Sequence, residues 1–377
     1  MASTTSLTTD ELRLLTWSNP ELNRLSIQLQ SLQRNCPLDQ SRLQRDPVFG
    51  AKCTAPPSDM GDLEILPLEI IHLTFNMLDL QTLIDFRTIS WRARALVDSF
   101  SPYNEIIQYC PDALRALLST HMSVYFTAQD ILQALYAESC FVCGHPGLFF
   151  DMFTSYRCCI TCVSNSDSLL CVTASFAKRK LGLNSKTMSM LPTLLSIPGK
   201  YAEKEKTYQR RILLVRMLSA AVAVSIQQED SNSSHPRPRS LGKGPIPRQL
   251  LLRLDRHRQN PYRFMAVVRL PFLDRGTGAL NWGVSCRACR LGPQDYSRGY
   301  RDWNNVYSIA GYMRHFQECE VSQIGRKVMP GYIVPVGQNQ CISDAKFLGF
   351  LNKFKFETPS QLFPSYRDGH GTIVSRF

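Results

Sequence analysis

LEILPLEIIHLTFNMLDLQTLIDFRTISWRARALVDS, residues 63–99, decides how this chain is read. Pro67 suits the first turn of a helix, where a missing N–H costs nothing, and Glu69 complements the positive end of that helix's dipole. Leu66, Ile70, Leu73 and Met77 then recur at helical spacing. Asp79 is placed to cap a second helix carrying Leu80, Leu83, Ile84 and Arg87, and Ser90 a third with Ala93, Leu96 and Val97 on one face. Three short helices within so few residues hold more apolar side chains than they enclose, and units below roughly 40 residues are seldom stable alone. Leu66, Ile70, Ile71 and Leu83 are therefore expected to face a partner. Each contributes roughly 1.5–3 kcal/mol if fully buried there, before association costs.

This segment resembles the F-box. The pattern is carried by Leu66-Pro67-Leu68-Glu69-Ile70, by Leu78-Asp79-Leu80 and by Ser90 to Leu96. The tail Arg94 to Ser99 and the Cys/His-containing sequence that follows look like filamentous-fungal F-box proteins. The resemblance implies docking onto the Skp-type adaptor of a cullin–RING ubiquitin ligase, through Leu66, Pro67, Glu69, Ile70, Ile71, Leu80 and Leu83. It covers roughly 62–183 and 263–320. The expected fold is mainly α with small β hairpins, a three-helix F-box followed by an α+β zinc-stapled region.

Outward from the F-box, cysteines dominate. The chain has 377 residues and 13 cysteines. Its N-terminus lacks a positively charged start followed by an apolar run, so no secretory signal is expected and disulfides are disfavoured. Cys140-x-x-Cys143 and Cys159-x-x-Cys162 flank residues 144–158, a spacing expected of a four-cysteine structural zinc site, with Gly144 relaxing the knuckle turn. Cys158, Cys171 and His145 are possible substitutes. A second set joins Cys286-x-x-Cys289 to His315 and Cys319, the latter pair four residues apart on one helix face. Four protein ligands per site leave no position for a catalytic water, so two structural zinc ions are expected.

Six regions are expected. Residues 1–60 form an N-terminal helix, Pro20 to Asn35 with Leu22, Leu25, Leu29 and Leu32 on one face, and a flexible tether. Residues 61–105 are the F-box. Residues 106–185 are helical around the four-cysteine site, with Thr127 capping a helix and Leu148 to Phe153 in a hairpin. Residues 186–249 are helical and basic, ending in a Ser/Pro/Gly-rich loop from Gln228. Residues 250–325 pair Arg263–Leu270 with Leu280–Cys286 across Asp274–Gly278 and add a helix to about Glu318. The tail 326–377 is unassigned. The longest apolar stretch, Ile212 to Ile226, is interrupted by Arg216 and reads as a buried helix rather than a membrane span.

Hydrophobic residues make up 44% and charged residues 20%, an ordinary globular composition. The net charge is +12 with a pI near 9.2. Residues 200–275 contribute 16 Lys/Arg against 6 Asp/Glu. A basic stretch of this kind fits a solvated face, and its sharper alternative is a zinc-containing nucleic-acid-binding regulator. An enzyme is disfavoured, because no H-E-x-x-H, G-x-S-x-G or phosphate loop occurs. A RING-type ligase is disfavoured because the eight candidate ligands lie far apart in the chain. The expected product is a noncatalytic substrate-receptor subunit that binds an adaptor and an unknown protein target. It would act in the cytoplasm or nucleus.

Overall fold

In a computed structural model, residues 7–18, 26–36, 60–201, 207–231, 260–287, 289 and 305–319 are described, with the backbone of a strand pair at Tyr366–Arg367 and Ile373–Val374. The tether at 37–59, most of the Ser/Pro/Gly-rich loop, the basic residues 202–206 and 232–259, and nearly all of the tail lie outside them. So do Leu22 and Leu25. The described chain is mostly helical with small antiparallel sheets and forms two compact units, residues 20–282 and residues 1–19 with 283–377. No described helix is long and apolar enough to cross a membrane.

In the larger unit, the three helices anticipated from the opening motif are Leu68–Met77, Leu80–Ile89 and Trp91–Ser99. The first begins after Pro67 with no side-chain cap, and the second and third start where side chains satisfy the first free N–H groups. Asp79 Oδ1 accepts from the Thr82 N–H at 2.9 Å, and Ser90 Oγ accepts from the Ala93 N–H at 3.0 Å. Arg87 joins the second and third helices by donating to both oxygens of Asp98, at 2.7 and 3.1 Å. Phe75 meets Phe86 and Phe100 edge-on, with centroids 5.3 and 5.7 Å apart.

Further helices at Ser101–Tyr109, Pro111–Thr120 and Ala128–Tyr136 continue from the third. The last begins at the expected Thr127, which forms a reciprocal cap with Asp130. These residues give the three-helix segment a floor of its own. The Leu80 N–H donates to the Phe126 carbonyl at 2.8 Å, Ser123 Oγ donates to Gln81 at 2.9 Å, and Gln129 donates to Asn76 at 3.0 Å.

Three corrections concern strands. The hairpin Phe149–Asp151/Arg157–Cys158 forms as expected from its aromatic run, but Val267–Arg269 joins it as a third strand. The expected pairing of 263–270 with 280–286 does not occur. The turn at Asp274–Gly278 instead links only Phe272–Leu273 to Leu280–Asn281. Residues 169–228, read as helical, contain a sheet in which Leu213–Arg216 lies between Cys171–Thr173 and Leu194–Leu195. The β-branched and leucine-rich stretch around 213–216 suits both helix and strand, and its partners sit far off in sequence. The helix expected from Ile212 accordingly runs from Met217 to Ser231, taking in the first residues assigned to the flexible loop. Of the helix expected over Pro20–Asn35, the described residues 26–35 are helical from Leu29 to Asn35.

The smaller unit pairs Thr16–Trp17, which follows the helix Thr9–Leu15, with Ser285–Cys286. The helix Ile309–Glu318 also belongs to it, capped by Ser308 Oγ accepting from the Gly311 N–H at 3.0 Å. Leu7, Leu15, Cys286, Tyr312 and Phe316 form its core.

Candidate metal centres and docking face

The first cysteine cluster is built by a loop and a helix start. The Ser139–Pro146 bridge closes the loop, the Cys140 N–H donates to the His145 carbonyl at 2.6 Å, and Gly144 turns it with φ +75°, a conformation glycine adopts without strain. Cys159 caps the helix Ile160–Asn165, its Sγ accepting from the Cys162 N–H at 3.4 Å. The Phe141 N–H donates to the Arg157 carbonyl at 2.9 Å and ties the two halves together. Arg157 itself is buried and donates to the carbonyls of Ala134, Gly147, Leu270 and Pro271.

As a result the sulfur atoms of Cys140, Cys143, Cys159 and Cys162 all lie within 4.8 Å of one another, with Cys143 and Cys159 3.6 Å apart. Four sulfurs at about 2.3 Å around one tetrahedral ion would be spaced by roughly 3.8 Å, whereas a disulfide needs about 2.05 Å. The cluster therefore has ion-holding rather than disulfide geometry. Of the alternative ligands, Cys158 is fully buried with its thiol directed at the Phe149 carbonyl, Cys171 approaches Arg216 at 3.2 Å, and His145 is exposed. None of the three belongs to the cluster.

Thiol chemistry explains why such a cluster suits a cation. Hydrogen bonding from Cys159 holds the Cys140 thiol down to about 4, although burial opposes it. The same bond, followed by burial, pushes Cys159 upward, while burial ahead of the Cys143 contact raises Cys162 to about 12. A thiolate at Cys140 thus opposes ionisation at Cys159 and Cys162. A divalent ion removes that conflict, because all the ligands can then be thiolates.

The second cluster brings Cys286, Cys289, His315 and Cys319 within the same 4.8 Å limit. Cys289 Sγ lies 3.3 Å from His315 Nε2 and 3.8 Å from Cys319 Sγ, and Cys286 Sγ lies 4.0 Å from Cys319 Sγ. His315 stacks on Tyr307 at 4.5 Å and 17°, which fixes the ring plane. Burial lowers the His315 pKa, but Cys286 and Cys319 outweigh it and raise the value to about 10. Cys286 and Cys289 do not sit at the end of the expected hairpin. Their strand pairs instead with Thr16–Trp17, and the N-terminal segment forms one wall of this cluster.

The docking face divides differently from the expectation. Leu66 and Ile70 are 41% and 45% exposed, and Pro67 and Glu69 are exposed. Leu83 and Leu80 are fully buried, and Ile71 is 8% exposed. Ile71, Leu80 and Leu83 thus belong to the domain's own interior, because the helices after residue 100 supply the cover that three helices alone lack. The outward face recruits side chains not singled out for docking: Leu63, Ile65, Leu68, Leu73, Met77, Ile89 and Trp91 are all exposed. Leu73 and Met77 already lay on the apolar row with Leu66 and Ile70. Helix direction separates that row from Ile71 and Phe75, a distinction legible in the sequence had the two faces been assigned separately.

The three short helices thus form a braced module with an outward apolar face. The family model of the F-box domain matches residues 63–105, and this segment is an F-box domain. No curated protein and no solved structure matches the chain.

Proposed function

We propose that this protein is the noncatalytic substrate-receptor subunit of a Skp–cullin–F-box ubiquitin ligase, of the filamentous-fungal type with zinc-stapled segments after the F-box. The observation that carries it is the uncovered row Leu66, Ile70, Leu73 and Met77 on an F-box domain whose interior is otherwise closed. Leu63, Ile65, Leu66, Leu68 and Ile70 crowd the entry to the first helix, all exposed. Water-facing apolar side chains at this density mark an interaction surface. Zinc is the ion of choice for both clusters, since four sulfur or nitrogen donors in tetrahedral spacing match its preference. The residues after the F-box then hold the protein to be modified, in the cytoplasm or nucleus. The six-region division from the N-terminal segment 1–60 to the tail 326–377 is the organisation proposed for this receptor.

A nucleic-acid regulator draws less support. Arg211, Arg216 and Arg263, within the basic stretch, donate to the Ser196 carbonyl, to Asp151 and to the Ser166 carbonyl, so these cations serve the fold.

The test is co-elution of the purified chain with a Skp-type adaptor. Ile70→Asp places a charge in the apolar contact and is expected to abolish co-elution while leaving the melting temperature unchanged. Leu83→Ala creates a cavity and is expected to cost about 2–5 kcal/mol of stability without a direct effect on docking. Full co-elution of a folded Ile70→Asp variant refutes the receptor reading.

A further inference from the structure

Arg157 stands two residues before Cys159, on the strand Arg157–Cys158, and its side chain is buried. Every N–H of its guanidinium is engaged by a main-chain carbonyl. Nε and Nη2 donate to Ala134 at 3.0 and 2.8 Å, and Nη1 donates to Gly147 at 2.9 Å and to Leu270 at 2.8 Å. Nη2 also donates to Pro271 at 2.5 Å. A guanidinium presents its five donors in a rigid planar fork, so acceptors on several segments are held at fixed positions around it.

Those carbonyls belong to the segments that frame the first cysteine cluster. Ala134 lies in the last turn of the helix Ala128–Tyr136, where carbonyls lack partners within the helix, and the chain runs from there into the loop carrying Cys140. Gly147 follows the Ser139–Pro146 bridge, at the far end of the loop that holds Cys140 and Cys143. Leu270 and Pro271 follow the strand Val267–Arg269. The Arg157 backbone adds another tie, its carbonyl accepting from the Phe141 N–H at 2.9 Å, between the two members of the first cysteine pair. One residue thus grips the Cys140/Cys143 loop at both ends and in its middle, while its own strand leads into Cys159 and Cys162. Gly147 makes room for it, because a Cβ there would meet Arg157 Cγ at 2.6 Å.

We propose that Arg157 is the positioning residue of the four-cysteine site, setting the spacing between its two C-x-x-C halves so that the four sulfurs are gathered before an ion arrives. The proposal rests on the reading of that cluster as a zinc site. Arg157 is not one of the ligands and acts through the main chain that carries them. Groups that orient metal ligands from outside the coordination sphere typically govern affinity by about 10–100-fold. Lysine would keep the charge, but its three donors share one nitrogen and cannot span four carbonyls on separate segments. A positioning role therefore predicts a loss on replacement by lysine, whereas a role for charge alone predicts none.

The test follows zinc release from the full-length protein to a chromophoric chelator, well below the melting temperature. The phase belonging to each site is assigned from Cys140→Ser and Cys286→Ser. Arg157→Lys is expected to quicken the four-cysteine phase at least about tenfold and to leave the phase of Cys286, Cys289, His315 and Cys319 at the wild-type rate. Gly147→Ala presses on Arg157 from the loop side and is expected to quicken the same phase, which keeps the test decisive where Arg157→Lys does not fold. Leu83→Ala loosens the interior elsewhere and is expected to leave the four-cysteine phase unchanged, which separates a positioning role from a general loss of stability. Wild-type release from folded Arg157→Lys or from Gly147→Ala, or equal quickening by Leu83→Ala, overturns the proposal. A wild-type chain that binds no zinc at the four cysteines overturns the zinc reading itself, whereas a loaded site with unaltered release in Arg157→Lys overturns the positioning role alone.

Discussion

Arg157 places a charge where only 2% of its surface remains exposed, and four backbone carbonyls surround it. Burial lowers its pKa to about 10, which still leaves it charged at neutral pH. Gly147 is the complement. A Cβ there would meet Arg157 Cγ at 2.6 Å and the Cys158 carbonyl at 3.1 Å. Gly147→Ala is expected to destabilise the chain by about 1–3 kcal/mol, read as a lowered midpoint in urea unfolding. Tyr103 shows the opposite economy of contacts, since its buried hydroxyl has no hydrogen-bond partner. Burial chiefly raises its pKa from 10 to about 12, so the native state holds that proton more tightly than the unfolded chain. The corresponding stability is complete below about pH 10 and is lost as pH rises through 12. Tyr103→Phe should remove this alkaline step and stabilise the protein by about 1 kcal/mol, measured as melting temperature between pH 8 and 11.

At the scale of elements, each cysteine cluster couples segments that have little core of their own. The loop at 140–146 is joined to the helix Ile160–Asn165, and Cys286–Cys289 to the helix Ile309–Glu318. Ion binding at such sites supplies roughly 10–16 kcal/mol toward folding. Two zinc ions per chain are expected by elemental analysis, with Cys140→Ser and Cys286→Ser each losing one. A metal-free chain with native circular dichroism would dispose of the staple. The membership of these clusters was legible because C-x-x-C and H-x-x-x-C are local spacings, set by the reach of a turn or helix face around one ion. The outward apolar face was only half legible. Leu66 and Ile70 turn outward as expected, but Leu83 turns inward because Ser123–Tyr125 and the helices around it close over that side.

For the whole molecule, the chain ends matter more than their sequence suggests. Residues 1–19 share a compact unit with 283–377, and the Tyr312 hydroxyl donates to the Leu15 carbonyl at 3.3 Å. Removing residues 1–18 takes Leu7, Leu12 and Leu15 from the core around Cys286 and His315. Such a truncation is expected to release the second zinc ion at least about tenfold faster to a chelator while the four-cysteine site keeps its own. Equal release rates would show that the N-terminal segment does not support the second site.

The amino-acid sequence alone determined the three short helices, two of them capped by side chains, the F-box pattern and the membership of both cysteine-rich clusters, because capping, helical periodicity and knuckle spacing act over a few residues. Tertiary structure alone decided that Val267–Arg269 lies beside Phe149–Asp151, that Thr16–Trp17 pairs with Ser285–Cys286, and that Leu80 and Leu83 are sealed. Short strands carry weak local signals, and which partner covers an apolar side chain depends on segments far away in the chain.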